Sequence, residues 1–441
     1  MRALTNVRSP SVELEAPDND SRDPVPPTPG EVVAAAGCLR AATGGPIPPD
    51  RIAPVLAAAS LEISPRGRPS GSDLVTRLAG RWRYSEELLE ASLTALLKPF
   101  SAEAISAFAR KVPARRKLIG FVMPGNVPGA GLHEVIAALV SGSAVMIKTA
   151  SNEPFFFREF ACVLTAIDPR IGARIAVFTW GRDRSDLTAA LRQSCDRFVV
   201  FGADDTLASI QSSAGGQGSG GLGLREDFAG FGSRVSGVIL GHEAVADESA
   251  RRARAKMVAR NVTLFEQRGC LSPHHVFVGD EADRRAYDFA ACLADEMEAL
   301  ARDLPPPTSL SLEDAAAIRR ARESARWRGL GGQNVRLWEG AALGCTVIYD
   351  RDAPFRTSPG FRTVYVSPFT NAPDLERRLD PVKGRLEAFA LMAADSQSAP
   401  IRAMLERFGA THICRPGAMQ SPPLEWPHGG GDFLRILLDE R

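Results

Sequence analysis

The stretch of sequence that decides the fold lies at residues 117–151 and reads KLIGFVMPGNVPGAGLHEVIAALVSGSAVMIKTAS. It contains two apolar runs of strand length, at 117–123 and 143–149, separated by a Gly- and Pro-rich turn and a segment of helical periodicity. The apolar residues of that segment recur three and four positions apart, as on one face of a helix: Leu132, Val135, Ile136, Leu139 and Val140. Strands that are apolar throughout and alternate with helices are typical of a parallel sheet covered on both faces.

The same alternation continues along the chain in two groups. The first group has further strand-like runs at 174–179, 197–201 and 234–240. The second group has helical segments at 244–264 and 282–302, strands at 274–279, 343–349 and 361–367, a helix at 384–394 and a strand near 411–414. We therefore predict an α/β protein with a doubly wound, nucleotide-binding type of parallel-sheet domain followed by a second α/β domain.

Composition and the predicted elements divide the chain into four segments. Residues 1–30 are polar and rich in Pro, Asp and Ser, which predicts a disordered arm. Residues 31–265 are interpreted as a helical lead-in with the cofactor domain, and 266–415 as the second domain. The C-terminal segment, 416–441, ends in a run that predicts a strand able to pair with another sheet edge, as in a homo-oligomer.

Charge and residue counts exclude several classes of protein. The chain has 441 residues and a net charge of +1, which does not favour a nucleic-acid partner. It has no apolar run of about 18 residues and no hydrophobic leader at its N-terminus, so we expect no membrane span and a cytoplasmic protein. The seven cysteines form no CxxC pair and the six histidines no HExxH motif, so neither a disulfide framework nor a metal site is expected.

The most conspicuous glycine motif is not interpreted as a cofactor-binding motif. Residues 211–224, QSSAGGQGSGGLGL, match GxGxxG twice. The dinucleotide fingerprint must follow a strand and open a helix, whereas these glycines follow a predicted helix and precede none. We predict that 214–223 is a flexible surface loop.

Two turns at the ends of predicted strands carry candidate binding residues. Asn126 lies in the turn after the first strand, at the carboxyl end of the sheet where ligands of open parallel sheets bind. Its amide is either an oxyanion donor or bonds its own backbone. Lys148, one of only six lysines, ends the next strand just before Ser151. It either contacts the ribose or phosphate of a nucleotide or is a solvated surface lysine.

A third turn carries the candidate nucleophile. Cys270 lies in the polar segment FEQRGCLSP at 265–273, between a long helix and the first strand of the second group. Other cysteines lie in helical stripes or beside strands, where Cys is usually inert. Cys270 is therefore either a reactive thiol at a domain junction or an ordinary, partly buried one.

Together and in this order, these segments resemble the aldehyde dehydrogenase superfamily. PGNVP at 124–128 is similar to its PWNFP-type turn, and SGSAVMIKTAS at 141–151 is similar to its strand that ends in a lysine. VFGADDTLASI at 200–210 is similar to its F-T-G-S element, and EQRGC at 266–270 is similar to its nucleophile segment. Within it, the chain most resembles the LuxC-type fatty-acyl-CoA reductase family. The segments that carry this narrower likeness are PGNVPG at 124–129, CLSP at 270–273 and RPGAMQSPPLEWPHGG at 415–430.

The resemblance implies a reaction and a set of roles. Cys270 would attack an acyl thioester, and Asn126 with the Cys270 backbone N–H would hold the oxyanion. Hydride from NADPH would then release an aldehyde. Lys148, with Ser151 beside it, would contact the adenosine ribose or its 2′-phosphate, and Gly202 would lie near the nicotinamide. The substrate would be an acyl-CoA, or an acyl group handed over by a partner acyltransferase or carrier protein.

One departure from the superfamily bears on the reaction. Aldehyde-oxidising members carry a glutamate in E-L-G-G-K-S, whereas the similar stretch at 228–236, FAGFGSRVS, has no carboxylate there. Glu226 and Asp227, just upstream, remain alternative sources of one. A missing base suits a reductase, because water would destroy the acyl-enzyme. His428 is either a proton donor or a structural histidine.

Two other functions stay open. Related reductases share the cysteine and act on acyl phosphates. The irregular glycine loop and the missing glutamate also suit a non-catalytic scaffold.

Overall fold

The computed structural model describes residues 25–43, 47–65, 69–212, 228–280, 284–341 and 343–430, together with the short strand Leu4–Thr5. The predicted glycine loop at 214–223, Glu226, Asp227, most of the predicted N-terminal arm and the tail from 431 lie outside these residues. Within the described ranges, no helix is long and apolar enough to cross a membrane.

The described chain alternates helices with strands. The helices are α1 Pro29–Ala42, α2 Pro49–Glu62, α3 Pro69–Trp82, α4 Glu86–Leu97, α5 Ala102–Ala109, α6 Leu132–Val140, α7 Phe156–Ile167, α8 Pro169–Gly172, α9 Ser185–Ser194, α10 Asp204–Ser212, α11 Glu248–Thr263, α12 Arg284–Asp303, α13 Leu312–Leu330, α14 Ala372–Leu379 and α15 Asp395–Arg407. The strands are β1 Leu4–Thr5, β2 Leu118–Val122, β3 Ala144–Thr149, β4 Ile175–Thr179, β5 Arg197–Phe201, β6 Phe228–Phe231, β7 Val235–Leu240, β8 Pro273–Gly279, β9 Val335–Glu339, β10 Thr346–Asp350, β11 Thr363–Phe369, β12 Leu386–Met392 and β13 His412–Cys414.

The first sheet has the order β1-β4-β3-β2-β5-β6, and all its pairs are parallel. Every residue of β2, β3 and β4 is buried, because helices cover both faces. The chain runs from β2 outward through β3 and β4, then returns to place β5 on the other side of β2. This reversal makes the carboxyl ends of β2 and β5 the crevice where open α/β sheets bind ligands. The predicted α/β, doubly wound fold is confirmed.

The second sheet has the order β13-β12-β7-β8-β11-β10-β9, and only the β9–β10 pair is antiparallel. The strand predicted at 234–240 therefore belongs to this sheet rather than to the first one. The second sheet thus begins before residue 266, and the division of the chain at 265 stays a prediction.

The helix predicted at 384–394 is wrong. Residues Leu386–Met392 form β12, which pairs with both β7 and β13. A short apolar run has no periodicity that separates a buried strand from a buried helix segment, and its burial between two strands decides the outcome here.

The lead-in helices pack against the first sheet and also support residues 265–273. This segment is called the nucleophile turn because it carries the predicted nucleophile, Cys270. Helices α2–α5 share one apolar core with β2, α6 and α7. Helix α4 carries Ser92, whose buried Oγ accepts a hydrogen bond of 3.0 Å from the backbone N–H of Phe265, five residues before Cys270. The helical lead-in is therefore part of the framework around the predicted nucleophile.

Candidate active site

The turn after β2 and the turn before β8 meet across the crevice. Asn126 Nδ2 donates a hydrogen bond of 2.7 Å to the carbonyl oxygen of Arg268, two residues before Cys270. The alternative in which Asn126 bonds its own backbone is therefore wrong. Because an amide nitrogen carries two N–H groups, the second can be donated to a ligand at the sulfur.

All the residues predicted for the site line one cavity of about 1430 Å³. They are Asn126, Lys148, Ser151, Gly202 and Cys270. The sequence motifs therefore converge in space, while the individual roles remain predictions.

The nucleophile turn is held in an uncommon backbone conformation. Phe265, Glu266 and Gln267 have consecutive positive φ angles of 54°, 52° and 60°, and Phe361 and Arg362 opposite them have φ of 49° and 58°. Non-glycine residues rarely occupy this left-handed region, so the surrounding contacts must stabilise it.

A buried ion pair supplies part of that stabilisation. The Arg362 guanidinium binds the Glu266 carboxylate, with Nε at 2.9 Å from Oε1, and both side chains are 1% exposed. Arg362 also donates to the carbonyl oxygen of Leu304 at 2.9 Å. The Gln267 amide accepts from the Thr363 N–H at 2.9 Å and donates to the Thr363 carbonyl at 2.7 Å. The turn is thus fastened to the loop before β11.

His428 lies against the predicted nucleophile. Its Nε2 is 3.9 Å from Cys270 Sγ, and its Nδ1 is 2.7 Å from Oε1 of Glu134 in α6. The ring stacks on Trp426 at 4.1 Å and packs against Phe231 at 4.8 Å between ring centroids. Cysteine, histidine and carboxylate thus form a continuous line of polar groups.

Burial and neighbouring charges act in opposite directions on the pKa values of His428 and Glu134. Burial favours the neutral imidazole, but the Glu134 charge and the hydrogen bonds to Cys270 and Glu134 raise the pKa of His428 well above its usual value. Burial would raise the pKa of Glu134, which is 2% exposed, but His428 brings that pKa below its usual value. The arrangement therefore favours an imidazolium–carboxylate pair.

Lys148 and its neighbours form the other end of the cavity. Lys148, in β3, is 8% exposed, so it is not the solvated lysine of the alternative interpretation. Burial and the charge of Arg182 lower its pKa to about 8. The Ser151 hydroxyl donates to the Trp180 carbonyl at 3.2 Å, while the Gly202 N–H donates to the Phe231 carbonyl at 3.1 Å.

Comparison with protein families decides the relationship. The model of the family described as "Acyl-CoA reductase (LuxC)" matches residues 89–439. The chain belongs to the acyl-CoA reductase (LuxC) family. The predicted resemblance is thereby confirmed, and the match takes in both sheets except for β1, together with the segment around His428.

Individual LuxC relatives are distant and longer. The chain is 25% identical over 251 residues to a long-chain acyl-protein thioester reductase of Aliivibrio fischeri, covering 56% of this chain and 47% of that protein. It is 23% identical over 188 residues to one of Photorhabdus laumondii subsp. laumondii, covering 42% of this chain and 36% of that protein. The matches thus span between about a third and a half of the length of these relatives.

Solved structures show the same fold at low identity. Aldehyde dehydrogenase 21 from Physcomitrella patens superimposes with a TM-score of 0.66 at 13% identity, covering 94% of this chain and 89% of that one. HpcC from Thermus thermophilus gives a TM-score of 0.64 at 15% identity, covering 89% of this chain and 79% of that one. The LuxC chain therefore has an aldehyde-dehydrogenase-like fold.

Sequence reasoning missed two carboxylates in this LuxC site, Glu134 and Glu387. A carboxylate oxygen of Glu387, in β12, lies within 4.8 Å of Cys270 Sγ and the His428 ring nitrogen. The Glu387 carboxylate is 3.5 Å from Arg234 Nε, and it also accepts hydrogen bonds from Thr411 Oγ1 and the Gly429 N–H. The stretch 228–236 thus lacks a carboxylate, but α6 brings Glu134 to His428 and β12 brings Glu387 near Cys270 and His428.

The available sequence signal was a single acidic residue inside an apolar element. Glu134 interrupts LHEVIAALV in α6, and Glu387 interrupts LEAFALM in β12. A carboxylate in such a position must be paired when buried. Since Cys, His and Glu are also metal-ligating types, the expectation of no metal site stays a prediction.

Proposed function

We propose that this protein reduces an activated fatty acyl thioester to an aldehyde with NADPH, through a covalent acyl-Cys270 intermediate. One observation carries this proposal. The Asn126 amide donates a hydrogen bond to the carbonyl of Arg268, two residues before Cys270, and Asn126, Cys270 and Lys148 line the same cavity. A nucleophile, an oxyanion donor and a cation for a phosphate group thus line one space.

The chain's own residues perform the covalent chemistry. Cys270 Sγ attacks the acyl carbon, and the thiol of the substrate leaves with one proton. The free N–H of Asn126 and the Cys270 backbone N–H stabilise the oxyanion that forms at the carbonyl. When bound, NADPH supplies a hydride to the acyl carbon. The resulting thiohemiacetal collapses to the aldehyde and regenerates the Cys270 thiolate.

The cavity has features that suit a nicotinamide cofactor with a 2′-phosphate. Gly202 follows β5 at the crevice, where a Cβ would lie 3.2 Å from the Thr206 side chain. Burial and then the like charge of Arg182 lower the pKa of Lys148 to about 8. A phosphate dianion next to these two cations would relieve their repulsion. This arrangement favours NADPH over NADH.

The substrate class follows from the relatives. Proteins named long-chain acyl-protein thioester reductases match this chain over 188 to 251 residues. We therefore assign a long-chain acyl group on a thioester, carried by CoA or handed over by a partner acyltransferase or carrier protein. Homo-oligomer formation through the C-terminal segment belongs to the same proposal.

The decisive assay follows NADPH oxidation with acyl-CoAs of increasing chain length and identifies the aldehyde by mass spectrometry. Wild-type protein is expected to consume NADPH and to carry an acyl adduct on Cys270 when NADPH is withheld. Cys270→Ala removes both signals, whereas Cys162→Ala, a matched change in α7, leaves them intact. Acyl phosphates in the same assay test the related reductase activity. Full activity in Cys270→Ala, or NADPH never consumed by the wild type, contradicts the proposal.

A further inference from the structure

We propose that Cys270, His428 and Glu134 form a catalytic triad in which the His428 imidazolium stabilises the Cys270 thiolate and protonates the thiol that leaves when Cys270 is acylated. The stabilisation of the thiolate stands on geometry alone. The protonation of the leaving group rests on the proposed function, because it needs a thioester substrate.

The geometry meets the requirements for such a triad. A nucleophile and a base must lie within hydrogen-bond reach, with a third group orienting the base. Here Nε2 of His428 is 3.9 Å from the sulfur, within reach of a hydrogen bond to sulfur, and Nδ1 is 2.7 Å from Oε1 of Glu134. Because Nδ1 donates to the carboxylate, Nε2 is the nitrogen that exchanges a proton at the sulfur. His428 is the catalytic residue, and Glu134 positions it.

The surroundings of the ring favour its charged form. Trp426 stacks on the ring at 4.1 Å, and Phe231 and Phe201 pack against it at 4.8 Å and 5.7 Å between ring centroids. Aromatic faces attract a cation that is shielded from water. The ring is therefore enclosed by groups that stabilise a positive charge.

Other charged and titratable groups also face the ring. Glu134 comes from α6, Cys270 from the nucleophile turn, and Glu387 from β12 with its partner Arg234. His133 and His412 lie nearby, and burial lowers the pKa of both. Since these two histidines are thereby kept neutral near pH 7, the charges that act on His428 are mainly the two carboxylates and the thiolate, opposed by Arg234.

The proton balance is complete for each turnover. The Cys270 thiolate forms a bond to the acyl carbon, and the carbon–sulfur bond to the leaving group breaks. The proton on Nε2 of His428 moves to the departing thiolate, which leaves as a thiol. His428 then takes one proton from solvent, and hydride transfer regenerates the Cys270 thiolate beside the imidazolium. The sum is acyl thioester, NADPH and one proton giving aldehyde, thiol and NADP⁺.

The proposed triad also disfavours hydrolysis of the acyl-enzyme. A histidine can activate water only when its ring is neutral. Once His428 has regained its proton, it cannot accept one from water, and Glu387 is held by Arg234, Thr411 and Gly429. The charged ring thus favours reduction over hydrolysis.

The first experiment measures thiolate formation without substrate or NADPH. Full-length protein is alkylated with iodoacetamide between pH 5 and pH 10, and the rate at Cys270 is read by peptide mass spectrometry. Wild type is expected to react appreciably at pH 6. In His428→Gln, the rate at that pH falls about tenfold or more, because an ordinary thiol ionises only near pH 8.5. Glu134→Gln shifts the profile in the same direction, and Glu134→Asp partly restores it.

The second experiment measures the acid role through the leaving group. With acyl-CoA, His428→Gln is expected to slow thiol release about 100-fold. With an acyl p-nitrothiophenyl ester, whose thiolate leaves unprotonated, the loss is below about tenfold. His412→Gln, a matched change of a histidine whose ring lies 6.5 Å from that of Trp426, leaves both rates unchanged.

The outcomes separate the two proposals. An alkylation profile unchanged in both His428→Gln and Glu134→Gln overturns the triad, even if NADPH is consumed and aldehyde appears. Equal losses with both esters overturn the acid role. A shifted alkylation profile in a protein that never consumes NADPH retains the thiolate–imidazolium pair and rejects the reductase. If His428→Gln does not fold, as judged by circular dichroism, Glu134→Gln supplies the alkylation result.

Discussion

Replacing Arg362 by methionine removes one half of a fully buried ion pair beside the nucleophile turn. The substitution keeps much of the side-chain volume but leaves Glu266, 1% exposed, without its cation. Arg362 also donates to the carbonyls of Leu304 and Pro305, so those acceptors lose a donor as well. Removing one partner of a buried pair costs about 3–5 kcal/mol of unfolding free energy.

The loss should appear in both stability and activity. Urea unfolding followed by tryptophan fluorescence measures the free energy, and steady-state NADPH oxidation measures kcat. We expect kcat to fall as well, because Arg362 fastens the left-handed segment that aims Cys270. The double variant Arg362→Met/Glu266→Gln should recover most of the stability, since no charge is then left uncompensated.

Arg326→Met is the matched control for this experiment. Arg326 forms its ion pairs with Glu323 and Glu339 at the surface, where water screens them. Its unfolding curve should coincide with that of the wild type. If Arg362→Met also unfolds like the wild type, or if the double variant is no better than the single one, the ion pair does not hold the turn.

Three further predictions test other parts of the structure. Asn126→Ala should lower kcat about 10²–10³-fold in steady-state reduction assays, as expected for one lost oxyanion donor, and an unchanged kcat would remove it from that role. Because burial and Arg182 lower the pKa of Lys148 to about 8, its charge is present below that pH and lost above it. The KM for NADPH should therefore rise as pH increases through about 8. Lys148→Met should show a high KM that does not depend on pH. A KM of the wild type that does not change with pH argues against a contact between Lys148 and a phosphate. Gly129→Ala should lower thermal stability, because Gly129 has a φ of 73° and a Cβ there would lie 2.6 Å from the Phe156 ring. Gly37→Ala in the middle of α1, where no atom lies within 4 Å of the new methyl group, should instead raise it slightly.

The parts of the site that follow strands were predictable. Parallel strands end at one edge of a sheet, so Asn126 after β2 and Lys148 at the end of β3 had to lie near each other. Cys270 could be selected because its segment is polar and turn-forming, unlike those of the other cysteines. Local sequence and the family resemblance thus placed these three residues at one cavity, while their roles stay predictions.

The His428–Glu134 pair depended on contacts that local sequence does not encode. These residues are 294 positions apart, and the segment that brings them together has little regular structure. Similarly, β12 was predicted as a helix because seven apolar-rich residues fit either periodicity, and only pairing with β7 and β13 distinguishes them. Long-range pairing therefore decided what the pattern left ambiguous.

The separation between Cys270 and His428 also orders events during synthesis of the protein. The two residues are 158 positions apart, so a ribosome adding about 5–20 residues per second needs about 8–30 seconds to travel from one to the other. During that interval the nascent chain already holds the thiol but lacks the imidazole. Under the proposed triad, Cys270 therefore lacks its imidazolium partner throughout this stage of synthesis and gains it only when residues near 428 fold back onto α6.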